Sequence, residues 1–156
     1  MFNTVLWATD GSAAADRALP FAKELAGEDG SLIVVHCNEL FVGRAGGHPV
    51  RADEGDLQAK IGGQVAEARD DGFQATLKIV ATGSRSPAHL IAEVAKEAEA
   101  DVIVVGTRGH SAVVGLFLGS VTQRLLHVAP CPVLAVPPLA EPAVSEREPV
   151  GAAAEN

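Results

Sequence analysis

The sequence predicts an α/β fold, an open five-stranded parallel sheet with helices on both faces, and three observations carry that prediction. Short apolar runs recur at Thr4 to Thr9, Leu32 to Cys37, Ala75 to Ala81, Val102 to Val105 and Val133 to Val136. Stretches of helical period separate them, giving the order β-α-β-α-β-α-β-α-β of a parallel sheet covered on both sides. The 156 residues, 47% hydrophobic and 21% charged, suit one soluble domain with a single sizeable core.

The first strand ends in Thr9-Asp10-Gly11-Ser12. Ser12 is placed to cap the first helix, which turns Ala14, Ala18, Leu19, Ala22 and Leu25 to one face and ends near Gly27. Pro20 lies too far from that start to be a first-turn proline, so a kink or a lost hydrogen bond is expected there. The second strand closes with His36 and Cys37. From Glu39 to Gly55 the chain has Gly43, Gly46, Gly47 and Pro49 with few apolar anchors, which describes a long loop, either a lid over a ligand or an undecorated surface segment.

The second helix covers roughly Asp56 to Asp70, and Gly62-Gly63 weakens it by about 1 kcal/mol per glycine relative to alanine. The third begins at Ser86-Pro87, with Ser86 as cap, and places Leu90, Ile91, Val94, Ala95 and Ala98 inward. Ser120 opens the last helix, with Val121, Leu125 and Val128 at helical spacing. After Val136 come Pro137-Pro138 and a Glu, Pro and Ala mixture without period, so residues 1–137 form the domain and 138–156 a disordered tail.

A formal net charge of −8 argues against nonspecific binding to nucleic acid or to an anionic membrane. No apolar run approaches the length that spans a bilayer, and Met1 leads almost directly into a strand without a leader pattern, so a cytoplasmic location is expected. Cys37 and Cys131 have neither metal-type nor redox-type spacing and read as reduced, structural residues. The five histidines are scattered, which argues against a tightly held structural zinc.

Chemistry concentrates in Gly106-Thr-Arg-Gly-His-Ser-Ala-Val-Val-Gly-Leu-Phe-Leu-Gly-Ser-Val-Thr122, where glycines join a buried strand to a helix N-terminus. At such a junction glycine tolerates positive φ and leaves room for a ligand, while the first helical amides lack partners and carry the positive end of the dipole. Ser120 and Thr122 add hydroxyls for phosphate oxygens or a hydrated metal, and Arg108 and His110 add loop cations. The alternative is a glycine-rich turn capped by Ser120. Gly-Lys-Ser/Thr is absent, which removes the P-loop, and no Gly-x-Gly-x-x-Gly follows the first strand, which removes the dinucleotide fingerprint. Asp10, at the carboxyl edge of the sheet, serves as a ligand group, a turn cap, or both.

The spacing Gly106-x-x-Gly109, nine residues, then Gly119-Ser120 resembles the ATP-binding branch of the universal stress protein family. The likeness runs from Thr4 to about Val136 and includes Thr9-Asp10-Gly11-Ser12, the strand ending in His36, and Ala129-Pro-Cys-Pro-Val-Leu-Ala-Val. It implies a Rossmann-like fold of the adenine-nucleotide-binding type with ATP, together with Mg or Mn, as cofactor. By position it puts Asp10 near the adenosine, with Ala8, Thr9 and Cys37 around it and backbone contacts to adenine from Ala8 and Cys37. It puts Gly106, Thr107, Arg108, Gly109, His110, Gly119, Ser120, Val121 and Thr122 around the phosphates. It also implies a homodimer through the last strand, whose apolar edge would otherwise stay open.

Nothing in the chain offers a residue suited to activate water at a γ-phosphate, so an efficient ATPase is not expected. A Gly-x-Ser-x-Gly elbow is absent as well. Three functions remain open: an ATP-binding regulatory protein acting as a stress sensor or switch, a slow ATP-hydrolysing enzyme, and a nucleotide-free structural dimer.

Overall fold

A computed structural model describes residues 2–43, 46–49, 53–107 and 118–137. Strand β1 (Thr4–Ala8) leads into a one-turn helix α1 (Ala13–Asp16) and a second helix α2 (Leu19–Ala26). Strand β2 (Ser31–Asn38) is followed by β3 (Leu40–Gly43), β4 (Gly46–Pro49) and α3 (Glu54–Asp70). The chain continues through β5 (Gln74–Ala81), α4 (Pro87–Glu97), β6 (Val102–Gly106), α5 (Ser120–Val128) and β7 (Val133–Val136). β1, β2, β5, β6 and β7 form one five-stranded sheet in the order β5-β2-β1-β6-β7, with every pairing parallel.

The period of two along the central strands divides the core into two layers. Val5, Trp7, Leu32, Val34, Val102 and Val104 face α2 and α3, where Ala18, Ala22, Leu57, Ile61 and Val65 meet them. Leu6, Ala8, Val35, Ile103 and Val105 face the opposite layer, closed by Ala88, Ile91, Val94 and Ala95 of α4 and Leu125 of α5. Each fully buried aliphatic side chain contributes about 1.5–3 kcal/mol relative to exposure. Trp7 is fully buried, and its indole N–H donates to the Ala15 carbonyl at 3.1 Å, fastening α1 to the sheet.

Several expectations change. The first helix is two helices, and Pro20 stands in the first turn of α2, where its missing N–H has no partner to lose. Of the predicted inner face, Ala18 and Ala22 are buried and Leu19 and Leu25 pack partly buried against the core, while Ala15 rather than Ala14 is buried. The 39–55 segment is not a structureless loop: β3 and β4 pair antiparallel, with Gly43 opposite Gly46 at the closed end. Glycine content suggested looseness, but Gly43, Gly46 and Gly47 all stand in the paired strands. α3 starts two residues earlier than expected, at Glu54 with Asp53 as N-cap. Ala98 is the C-cap of α4 rather than part of its inner face. The proposed tail, 138–156, lies outside the described residues.

Candidate functional site

The sheet order places β1 between β2 and β6, and the chain leaves β1 toward one edge and β6 toward the other. The carboxyl ends of these two strands therefore flank a crevice of the kind that binds ligands in open α/β sheets. A cavity of about 390 Å³ opens there. Ala8, Thr9 and Asp10 reach it from the end of β1, Val35, His36, Cys37 and Glu39 from β2 and beyond, and Pro87 and Ile91 from α4. Val105, Gly106, Gly119, Ser120, Val121 and Thr122 close it from β6 and the start of α5.

Its walls are chemically mixed. Ala8, Val35, Ile91 and Val105 give the lining an apolar part, to which the Asp10 and Glu39 carboxylates add charge. The N-terminus of α5 also lines it. Gly119 is the N-cap of α5, with φ −68° and ψ 156°, so the cap residue has no side-chain oxygen to offer the first amides of the helix. On α1, by contrast, the Ser12 side chain caps the helix; the first amides of a helix carry the positive end of its dipole and suit an anion. Ser120 is thus the first helical residue and not the cap.

The turn after β1 is fully bonded. Gly11 N–H donates to Thr9 Oγ1 at 3.0 Å and Ser12 N–H to Asp10 Oδ1 at 3.0 Å, after which Ser12 Oγ accepts from Ala15 N–H at 3.2 Å. Asp10 is therefore a turn cap as well as a cavity residue. Gly11 takes the left-handed φ of +72° that this turn requires.

Gly106 and Gly119 line the cavity, and each also has a part in holding the loop ends. A Cβ on Gly106 would stand 2.7 Å from both the carbonyl carbon and oxygen of Ala14, so this glycine admits the backbone of α1. Gly119 has an ordinary negative φ. Its N–H donates to the Thr107 carbonyl at 2.6 Å, which closes the two ends of the loop, while Thr107 N–H donates to Val136 O at 2.9 Å. Thr122 Oγ1 donates to the Gly106 carbonyl at 2.9 Å, so the proton expected for a phosphate braces the loop. Thr107 is buried beside the cavity without lining it. Arg108, Gly109 and His110 lie outside the described residues.

Cys37 lines the cavity, and its thiol donates to the Pro87 carbonyl at 3.8 Å. Burial, with the Glu39 carboxylate adding to it, pushes the thiol up to about 11, so it stays neutral at physiological pH. Burial, and then Asp101, also raises Cys131. Both cysteines are free. Among the described residues no group of three His, Cys, Asp or Glu is placed to hold a metal, and no helix is long and apolar enough to cross a membrane.

The model of the universal stress protein family matches residues 1–137. The chain belongs to the universal stress protein family. A universal stress protein of Thermus aquaticus is 37% identical over 146 residues, covering 87% of this chain and 99% of that one. The structure of the Archaeoglobus fulgidus universal stress protein in complex with dAMP superposes with a TM-score of 0.61 at 28% identity, covering 87% of this chain and 98% of the other. A universal stress protein in complex with cAMP superposes with a TM-score of 0.61 at 26% identity, over 86% and 96% of the two chains.

Sequence reasoning overlooked His36 and Glu54 as partners. His36 Nδ1 lies 3.0 Å from the Thr9 carbonyl and Nε2 lies 2.8 Å from Glu54 Oε1, with both side chains almost wholly buried. A histidine at the end of a buried strand was the available signal. Glu54 gave none, because its place in the segment after β2 read as loop.

Proposed function

We propose that this universal stress protein binds ATP at the carboxyl edge of its sheet and acts as a sensor or switch in the stress response. The observation that carries the reading is one cavity lined by apolar side chains, by the Asp10 and Glu39 carboxylates and by the start of α5, whose N-cap is a glycine. A purine suits the apolar part of the lining, ribose hydroxyls can donate to Asp10, and phosphates suit the first amides of α5. The family members in complex with dAMP and cAMP support an adenine nucleotide as the ligand class.

Mg²⁺ or Mn²⁺ would arrive on the phosphates, where it would neutralise their charge. Of the two hydroxyls at the start of α5, that of Ser120 suits this role, since Thr122 is engaged with Gly106. The sensor reading is preferred to a slow ATPase because Thr122, one of the two hydroxyls at the start of α5, is engaged with the Gly106 carbonyl. The protein is assigned to the cytoplasm and to a homodimer through β7, an edge strand that leaves Leu134 38% exposed.

The test begins with mass spectrometry of ligand released from protein purified without added nucleotide, followed by calorimetry with ATP. Gly119→Val should abolish binding while leaving the fold intact, because its dihedrals are open to valine. Equal affinity in parent and variant would refute the phosphate assignment. Turnover on the order of 10 per second with Mg²⁺ or Mn²⁺, lost in Gly119→Val, would replace the sensor by an enzyme.

A further inference from the structure

His36 and Glu54 form a buried polar pair that the nucleotide reading leaves without a task. The Thr9 carbonyl has no proton to give, so Nδ1 of His36 must carry the hydrogen in their 3.0 Å bond. Glu54 Oε1 accepts from Gln58 Nε2 at 2.7 Å and faces His36 Nε2 at 2.8 Å. One proton lies between Nε2 and Oε1 whichever atom holds it, so the ring is held at both ends in one orientation. Breaking such a buried bond leaves its partners unsatisfied.

What the ring grips is the peptide that introduces Asp10. Because that peptide is planar, fixing the Thr9 carbonyl also fixes the direction of the Asp10 amide and the start of its turn. The far side of the same turn is gripped too. Lys60 Nζ, from the second turn of α3, donates to the Gly11 carbonyl at 2.7 Å. Leu57, between the two grips on α3, packs directly against Gly11.

We infer that α3 is the positioning element of the nucleotide site, and that His36 with Glu54 is the positioning pair through which it sets the Asp10 turn. Neither residue need touch phosphate or carry out chemistry. His36 lines the cavity and Glu54 stands behind it, so the pair transmits the seating of the first turn of α3 to the ligand wall. The inference rests on the ligand reading only in naming what the turn serves.

The experiment compares Glu54→Gln, which keeps a donor for Nε2 without charge, with Glu54→Leu, which removes the bond. Amide hydrogen exchange is read in ligand-free protein at Ser12, whose N–H donates to Asp10 Oδ1, with the sheet amides of Val34 and Val104 as controls. Glu54→Leu should lower protection at Ser12 at least about tenfold and weaken ATP binding by a similar factor, while Glu54→Gln stays within about twofold of the parent on both. Parent-like protection at Ser12 in Glu54→Leu overturns the inference. So does an equal loss at Ser12, Val34 and Val104, which would mean general loosening, or a loss in Glu54→Gln as large as in Glu54→Leu.

Should Glu54→Leu fail to fold, Lys60→Met cuts the other grip from a half-exposed position, and protection at Ser12 should fall about threefold. No change there overturns the inference equally. A parent protein that fails to bind ATP sinks the nucleotide reading, while the Ser12 amide still decides whether the pair positions the turn.

Discussion

Gly106→Ala tests whether the glycine at the end of β6 serves packing. The added methyl would stand 2.7 Å from two backbone atoms of Ala14 and 3.0 Å from Ala15 N, where ordinary contact begins at 3.4 Å. The backbone of α1 must therefore retreat by roughly the 0.7 Å difference, against the Trp7 to Ala15 hydrogen bond and the Ser12 cap that hold it. Overpacking of this kind costs about 1–3 kcal/mol, and alanine recovers about 0.5–1 kcal/mol over glycine in an extended chain. The mid-range net loss of about 1 kcal/mol corresponds to a fall of roughly 2–4 °C in melting temperature for a chain of this length. Thermal denaturation followed by circular dichroism reads it directly. Because Ala15 lines the cavity, calorimetry should also show weaker ATP binding in the folded variant. Gly106→Ala melting at or above the parent temperature would refute the packing argument.

Thr122→Val leaves the Gly106 carbonyl without its 2.9 Å donor and should cost about 1–2 kcal/mol in denaturant titrations, whereas Thr122→Ser should lose less. With its pKa pushed up to about 11, Cys37 should alkylate slowly at neutral pH and faster in Glu39→Gln, and rapid labelling of the parent at neutral pH would contradict this. Its folded pKa is raised, so its contribution to stability is complete below the ordinary value of 9.0 and is lost as pH climbs toward about 11; urea titrations across that window check the sign. Sedimentation at micromolar concentration should show a dimer, and a monomer would remove the assignment to β7.

The site was partly legible before the fold was known. Asp10 and the Gly119 to Thr122 stretch stand together on the cavity because a strand end followed by a turn or helix start is a local pattern. The roles of particular glycines were not legible. Gly106 and Gly11 look alike in a string of letters, yet one admits the backbone of Ala14 and the other takes a left-handed φ. The hairpin at 40–49 was hidden for a related reason, since pairing depends on partner strands and composition reports only that glycine and proline are frequent.

By itself the sequence determined the class of fold and the number and chain order of the main parallel strands, while their order across the sheet came from the structure. Class, number and chain order follow from hydrophobic period and from glycine and proline punctuation, which act within a few residues. Only the tertiary structure decided which groups meet across long separations: His36 with Glu54, Lys60 with Gly11, Gly106 with Ala14, and Thr122 with Gly106. A hydrogen bond or a close backbone approach depends on positions fixed to within tenths of an ångström, and those positions exist only once the sheet and its helices have packed.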